Sequence, residues 1–216
     1  MTESYGQVLA RQLETLDFDT LIKVIDVIPN GKLEIFPYIH EIHSLQSSIN
    51  NNDLKYCCRL KRLKLPNCSI TDSVLMLMPH LEALTIKQSP TMTGEYFKTL
   101  SSLVELQILS TSADEPDTTL DTYTIKDLNK LEMLHVMNHN LCDDDFYFLR
   151  SLRILIIISN KVTPKILNYL PNLELCIINK KLYKYVSSIR NKQILKKIGK
   201  LDTVRIYAID NGQRLA

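Results

Sequence analysis

The sequence predicts an α/β solenoid, with a curved parallel sheet on its concave face, helices on its convex face and a helical cap at the N-terminus. Three observations predict it. An LxxLxL frame occurs seven times between residues 60 and 206, helix-start signals follow two of its copies, and residues 1–38 lack the frame altogether. Self-similarity at a fixed period of 20–50 residues is the signature of a stacked array, in which each unit buries its apolar edge against its neighbours.

The frame is read directly from the residues. It begins as Leu60/Leu63/Leu65 and recurs as Leu81/Leu84/Ile86, Leu103/Leu106/Ile108, Leu131/Leu134/Val136 and Leu152/Leu155/Ile157. Two less regular copies follow, Leu173/Cys176/Ile178 and Leu201/Val204/Ile206, so the starting positions differ by 21, 22, 28, 21, 21 and 28 residues. The last two apolar positions of each copy stand two apart, which on a strand places both side chains on one face and the residue between them on the other. Each copy therefore predicts one short parallel strand. Ile39/Ile42 falls 21 residues before Leu60 and predicts a first, imperfect repeat, giving repeats that start near 39, 60, 81, 103, 131, 152, 173 and 201.

The return limbs carry their own signals. Thr71-Asp72 precedes SVLMLM and Thr163-Pro164 precedes KILNYL, which are N-cap and first-turn residues in the right order. The two 28-residue spacings differ in composition. Ser110–Leu120, rich in Ser, Thr, Asp and Pro, reads as a loop, and Leu182–Gly199 reads as a long amphipathic helix ending in Gly.

These residues resemble the leucine-rich-repeat family over positions 60 to about 207, and the run LxLxxCxITD that ends Cys68, Ile70, Thr71, Asp72 is most similar to the cysteine-containing repeats of F-box/LRR proteins. The position where such repeats turn the backbone holds Cys68, Ser89, Thr111, His139, Asn160 and Lys181. The resemblance implies a protein-recognition module without catalytic activity.

Two readings fit residues 1–38: a plain helical cap over the open end of the solenoid core, or a degenerate F-box-like segment. The second rests on Leu16 to Pro29, LDFDTLIKVIDVIP, which resembles the first half of an F-box. Leu16, Leu21, Val24, Ile25, Ile28 and Pro29 would then dock a Skp-type adaptor. Asp17 stands where the motif has its early Pro, and the motif's later half is absent from Asn30 to Ile49.

In this register the outward strand positions line the concave face. Candidate partner-binding residues are Arg62, Lys64 and Lys87 early, Leu109, Met133, His135 and Met137 in the middle, and Ile154, Ile156, Ile158, Leu175 and Ile177 late. The face changes from basic to apolar, and an apolar patch on adjacent strands calls for a cover. A protein partner is one cover; the segments 211–216 or 110–120 of the same chain are others. Alternatively the strands are buried on both faces, as the unbroken run Leu155–Ile158 allows.

Composition narrows the remaining classes. With 45% hydrophobic and 23% charged residues the chain reads as an ordinary folded domain, and no apolar stretch is long enough to predict a membrane span. Residues Met1–Ala10 lack a secretory signal pattern, and five scattered cysteines at 57, 58, 68, 142 and 176 form neither a disulfide framework nor a zinc-finger spacing. A cytoplasmic or nuclear location is the expectation. Net charge is only +2, and the basic residues between Lys180 and Lys197 are interleaved with Leu182, Val186, Ile189 and Ile194, so a solvated amphipathic helix is expected there rather than a nucleic-acid site.

No phosphate loop, nucleophile elbow, HExxH or EF-hand pattern occurs, and neither catalytic residues, a metal nor a cofactor is expected. His40, His43, Cys57 and Cys58 are the sole metal-like group, but adjacent cysteines chelate one tetrahedral ion poorly. Asp143–Asp145 read as residues placed at a helix start, where the dipole favours them. The functional expectation is a substrate-receptor-like subunit of a ubiquitin ligase, with a non-ligase scaffold or assembly factor as the alternative.

Overall fold

The computed structural model describes residues 23–24, 39–43, 49–66, 70–87, 92–109, 122–137, 141–185, 209–210 and 213–214. The LxxLxL copies from Leu60 to Ile178 become strands β3 to β8 of one sheet, whose strands in chain order are β1 (Lys23–Val24), β2 (Glu41–His43), β3 (Arg62–Pro66), β4 (Ala83–Lys87), β5 (Glu105–Leu109), β6 (Met133–Met137), β7 (Ile154–Ile158), β8 (Leu175–Ile178) and β9 (Lys181–Tyr185). Strands β1 to β8 are parallel and each pairs with the next, whereas β9 closes the sheet antiparallel to β8. The pairing register is the register of the repeat: Leu63, Leu84, Leu106, Leu134, Leu155 and Cys176 form one inward row across the sheet.

A recurring backbone device sets where each strand begins. Lys61 and Arg62 both donate their amides to His40 O, Glu82 and Ala83 to Lys61 O, and Val104 and Glu105 to Glu82 O; the pattern continues to Glu174 and Leu175 on Arg153 O. The first Leu of each copy closes the preceding limb instead, as in Leu81 N to Met78 O and Leu152 N to Leu149 O. Its side chain, like those of the two inward strand positions, lies in one continuous core with Ile70, Leu75, Phe97 and Phe146. Burying each such side chain contributes about 1.5–3 kcal/mol, and because every row repeats, the contribution is spread along the whole array.

The limbs are shorter than the helices expected from the sequence. Asn51–Leu54 and Thr122–Ile125 are single α-helical turns, while Asp72–Leu77, Phe97–Thr99, Asp143–Phe148 and Pro164–Asn168 are 3-10 turns. A repeat of 21–22 residues that spends five on its strand leaves too little chain for a longer helix, and 3-10 geometry covers the same width with fewer residues.

Side chains tie successive limbs together at the N-cap positions. Asn51 Oδ1 accepts from Thr71 N at 3.0 Å while its Nδ2 donates to Thr71 Oγ1 at 2.8 Å. Asp143 repeats the clamp on Thr163, accepting from its N and its Oγ1, both at 2.6 Å. Asp72 takes Thr93 N at 2.9 Å and also accepts from Thr93 Oγ1. Thr163 additionally caps its own turn by accepting from Lys165 N, with Pro164 just inside, as its sequence signal predicts. Asp145 closes a capping box by accepting from Cys142 N at 2.6 Å.

Two stretches depart from the sequence reading. Lys181–Tyr185, placed at the start of the expected 182–199 helix, is a strand: Asn179 and Lys180 take left-handed φ values of 51° and 66°, which reverse the chain into β9 beside β8. Asn tolerates that region better than most residues, and here its side chain also bridges to the previous repeat through Ser159 N and O. Lys23–Val24, inside the expected helical cap, pairs in parallel with Glu41–Ile42 and is extended. The remaining cap residues, the 110–120 loop, the repeat near 201 and residues 186–199 lie outside the described residues.

Candidate functional site

The concave face is the outward side of the strands, and the register resolves it into rows. One row runs Arg62, Ala83, Glu105, Met133, Ile154, Leu175, and the next runs Lys64, Thr85, Gln107, His135, Ile156, Ile177. The structure therefore places most of the sequence-predicted residues on one continuous surface, with Lys87 beside Leu109 and Met137 beside Ile158 along its far margin.

The early half of this surface is open. Lys64 is exposed, and Arg62, Thr85, Lys87, Glu105 and Gln107 are half-buried. Arg62 is already engaged, with its Nη2 donating to Glu105 Oε2 at 2.9 Å.

The late half corrects the expectation of exposed aliphatics. Ile154, Ile156, Leu175 and Ile177 are 1–4% exposed, and Leu109 and Met133 are buried with them. None of these six belongs to the main core, which lies on the opposite side of the sheet. Strands β6, β7 and β8 are thus buried on both sides, as follows equally from a cover by another segment of the chain and from strands buried on both faces. Only Met137 and Ile158 keep partial access.

The boundary between the halves is polar and buried. His135 is 1% exposed, and burial pushes its imidazole down to about 4, so the ring is neutral at physiological pH. His135 Nδ1 and, on the neighbouring strand, Gln107 Oε1 are buried without a hydrogen-bond partner. Such atoms cost free energy unless a partner supplies the missing bond.

The metal-like group is not drawn together as a chelate. Cys57 is turned into the core, with Sγ donating to Asp53 O at 3.9 Å, while Cys58 faces solvent. Burial first, then the neighbouring Cys58 and Asp53 charges, push the Cys57 thiol up to about 12, so it is not a thiolate ligand or nucleophile at neutral pH. Among the described residues no cluster of three or more His, Cys, Asp or Glu could hold a metal ion, and no helix is long and apolar enough to cross a membrane.

Sequence reasoning overlooked a second surface on the limbs. Tyr147 and Phe148 are exposed and stack edge-to-face at 5.7 Å, Tyr147 also meets Tyr169 at 6.3 Å, and the Arg150 guanidinium lies 5.0 Å from the Tyr147 ring centre. The signal was available in the repeat itself. The position seven residues before each strand holds Met76, Lys98, Lys126, Tyr147 and Asn168, so the fold does not require an aromatic there.

Comparison with known proteins identifies the architecture. No family profile and no curated protein matches the chain. Solved structures do: an internalin (inlF) from Listeria monocytogenes aligns over 87% of this chain and 54% of its own, with a TM-score of 0.55 and 18% identity. An internalin C2 (inlC2) from Listeria monocytogenes aligns over 84% and 75%, with a TM-score of 0.53 and 16% identity. TLR13 in complex with ssRNA13 aligns over 73% of this chain and 23% of its own, with a TM-score of 0.51 and 21% identity. The chain spans about half the length of the first of these. Its fold is that of a leucine-rich-repeat solenoid. The cysteine-containing F-box/LRR subtype is not distinguished by these similarities.

Proposed function

We propose that the protein is a non-catalytic recognition module that captures a protein partner on its concave face. The observation that supports this reading is the accessible part of the sheet's outward side, where strand register aligns Arg62, Lys64 and Lys87 at the early end and leaves Met137 and Ile158 partly open at the late margin, while Leu109, Met133, His135, Ile154, Ile156, Leu175 and Ile177 are buried behind it. Lys64 and Lys87 are its accessible charges, suited to orient an acidic segment of the partner.

The finer form of the proposal is a substrate-receptor-like subunit of a ubiquitin ligase. It is supported by the resemblance of Leu16–Pro29 to an F-box and of the Cys68 repeat to the cysteine-containing class, and it assigns a Skp-type adaptor to Leu16, Leu21, Val24, Ile25, Ile28 and Pro29. A cytoplasmic or nuclear location goes with it, in keeping with the free thiols Cys57, Cys58 and Cys142. The alternative is a scaffold in a protein or ribonucleoprotein complex.

Affinity purification of the full chain separates these forms. Recovery of a Skp-type adaptor and cullin, lost on Leu21→Ala with Ile25→Ala, is the expected result for the ligase subunit; a stoichiometric complex lacking both identifies a scaffold. Capture by Lys64→Glu with Lys87→Glu at wild-type levels would remove the concave face from the proposal.

A further inference from the structure

The large hydrophobic side chains exposed among the described residues all lie on limbs or the turns beside them, and none lies on a strand. Two of them, Tyr147 at 52% and Phe148 at 46%, stand together on the turn Asp143–Phe148. The fold does not demand them, since Met, Lys and Asn fill the Tyr147 position in other repeats and Leu, Thr, Asp and Tyr fill that of Phe148. Their mutual edge-to-face contact and that with Tyr169, which is partly buried against the core, hold the rings in place before any ligand arrives. Pre-ordered aromatic surface beside an arginine is the composition that dominates binding energy at protein interfaces.

The charges beside the rings indicate what would cover them. Three cations on or beside the strands are neutralised within the array: Lys61 by Glu82, Arg62 by Glu105, and Arg153 by Glu132 and Glu174. Arg150 is exposed and has no carboxylate partner among the described residues, and the same holds for Lys126, which takes the Tyr147 position one repeat earlier. A guanidinium stacked on a ring keeps its in-plane N–H groups free for a carboxylate. The turn also begins with Asp143 and exposed Asp144. A nucleic-acid backbone, charged at every step, would run against those acids, whereas a peptide can set single carboxylates at the Arg150 end.

We propose that Tyr147, Phe148, Tyr169 and Arg150 form a second docking surface, on the convex side, for an acidic peptide segment of another protein that carries an apolar anchor. The rings take the anchor and Arg150 takes the adjacent carboxylate. This surface is independent of the concave face proposed above.

Selection from a random-decapeptide display library on the full chain tests it. The expected ligands share an aliphatic or aromatic residue next to Asp or Glu, lose at least tenfold in affinity with Tyr147→Ala, Phe148→Ser or Arg150→Glu, and keep their affinity within twofold with Lys64→Glu. Because the substituted side chains are exposed, circular dichroism should report an unchanged fold for each variant. Ligands without acidic residues, ligands indifferent to these substitutions, or an empty selection would overturn the proposal. So would a single-stranded RNA oligonucleotide, or self-association in sedimentation, that is lost with Tyr147→Ala.

Discussion

Arg62 on β3 reaches over Ala83 on β4 and places its Nη2 2.9 Å from Glu105 Oε2 on β5, bridging three strands across a small residue. The small side chain between them is what lets the pair meet. Both partners are partly solvated, so the bridge contributes no more than about 1 kcal/mol. Ala83→Leu should break it, with Arg62→Ala nearly neutral in denaturant midpoint. Losing the pair should instead change partner orientation, read as a larger effect on association rate than on stability.

His135 gives the fold a pH dependence whose sign is set by burial. Its folded-state value is pushed down to about 4 from the ordinary 6.5, so between these limits the unfolded chain binds more protons than the folded one. Stability contributed by the neutral ring is complete above about pH 6.5, declines as pH falls and is lost by about pH 4; the ceiling is about 3 kcal/mol. Urea midpoints at pH 7 and 4.5 should differ more for the wild type than for His135→Gln. Equal differences would show that the ring does not report its burial.

The two adjacent cysteines should react at very different rates. Cys57 is fully buried with its thiol pushed up to about 12, whereas Cys58 is exposed. Iodoacetamide at pH 8 with peptide-level mass spectrometry should modify Cys58 within minutes and leave Cys57 intact until denaturant is added. Comparable labelling of both would place Cys57 outside the core.

Much of this fold is legible in the sequence because LxxLxL states both period and face. Leu63 and Leu65 had to point one way on a strand, and Arg62 and Lys64 the other; the register confirms the rows. What periodicity does not reveal is the second burial. Ile154 and Ile156 alternate with Leu155 and Ile157, so a one-sided strand and a two-sided one read alike when both faces are apolar. The β9 reversal was hidden for another reason: Asn179-Lys180 is a local left-handed turn, overridden in the sequence reading by the helical spacing downstream. On the limbs, Tyr147 and Phe148 carry no mark in the LxxLxL frame, which specifies only the inward and outward positions of the strands.

Ile156 decides between the two faces of that ambiguity. At 1% exposure, an aspartate in its place would bury an unpaired charge, and Ile156→Asp should cost about 3–5 kcal/mol or unfold the array. Lys64→Glu, on the exposed end of the same row, should stay within about 0.5 kcal/mol of wild type. A folded Ile156→Asp protein with an unchanged midpoint would mean the late strands face water.

Arg153 is the charge whose loss should be felt most. It stands just before β7, donates Nε to Glu174 Oε1 at 2.6 Å and places Nη1 3.6 Å from Glu132 Oε2, so one guanidinium serves the carboxylates of both neighbouring repeats. Its side chain is 23% exposed, less than that of Arg62, and two charged partners hold it instead of one. Arg153→Ala removes the cation that the two acids share and should cost about 1–3 kcal/mol. Arg153→Lys should recover only part of this, because an ammonium cannot span both carboxylates with the same fork. A double-mutant cycle with Glu174→Ala should give a coupling near 1 kcal/mol, and strictly additive losses would reduce the bridge to a surface contact. Since stability in a stacked array is carried by interfaces between neighbours, the same substitution should also broaden the unfolding transition as the repeats before β7 uncouple from those after it.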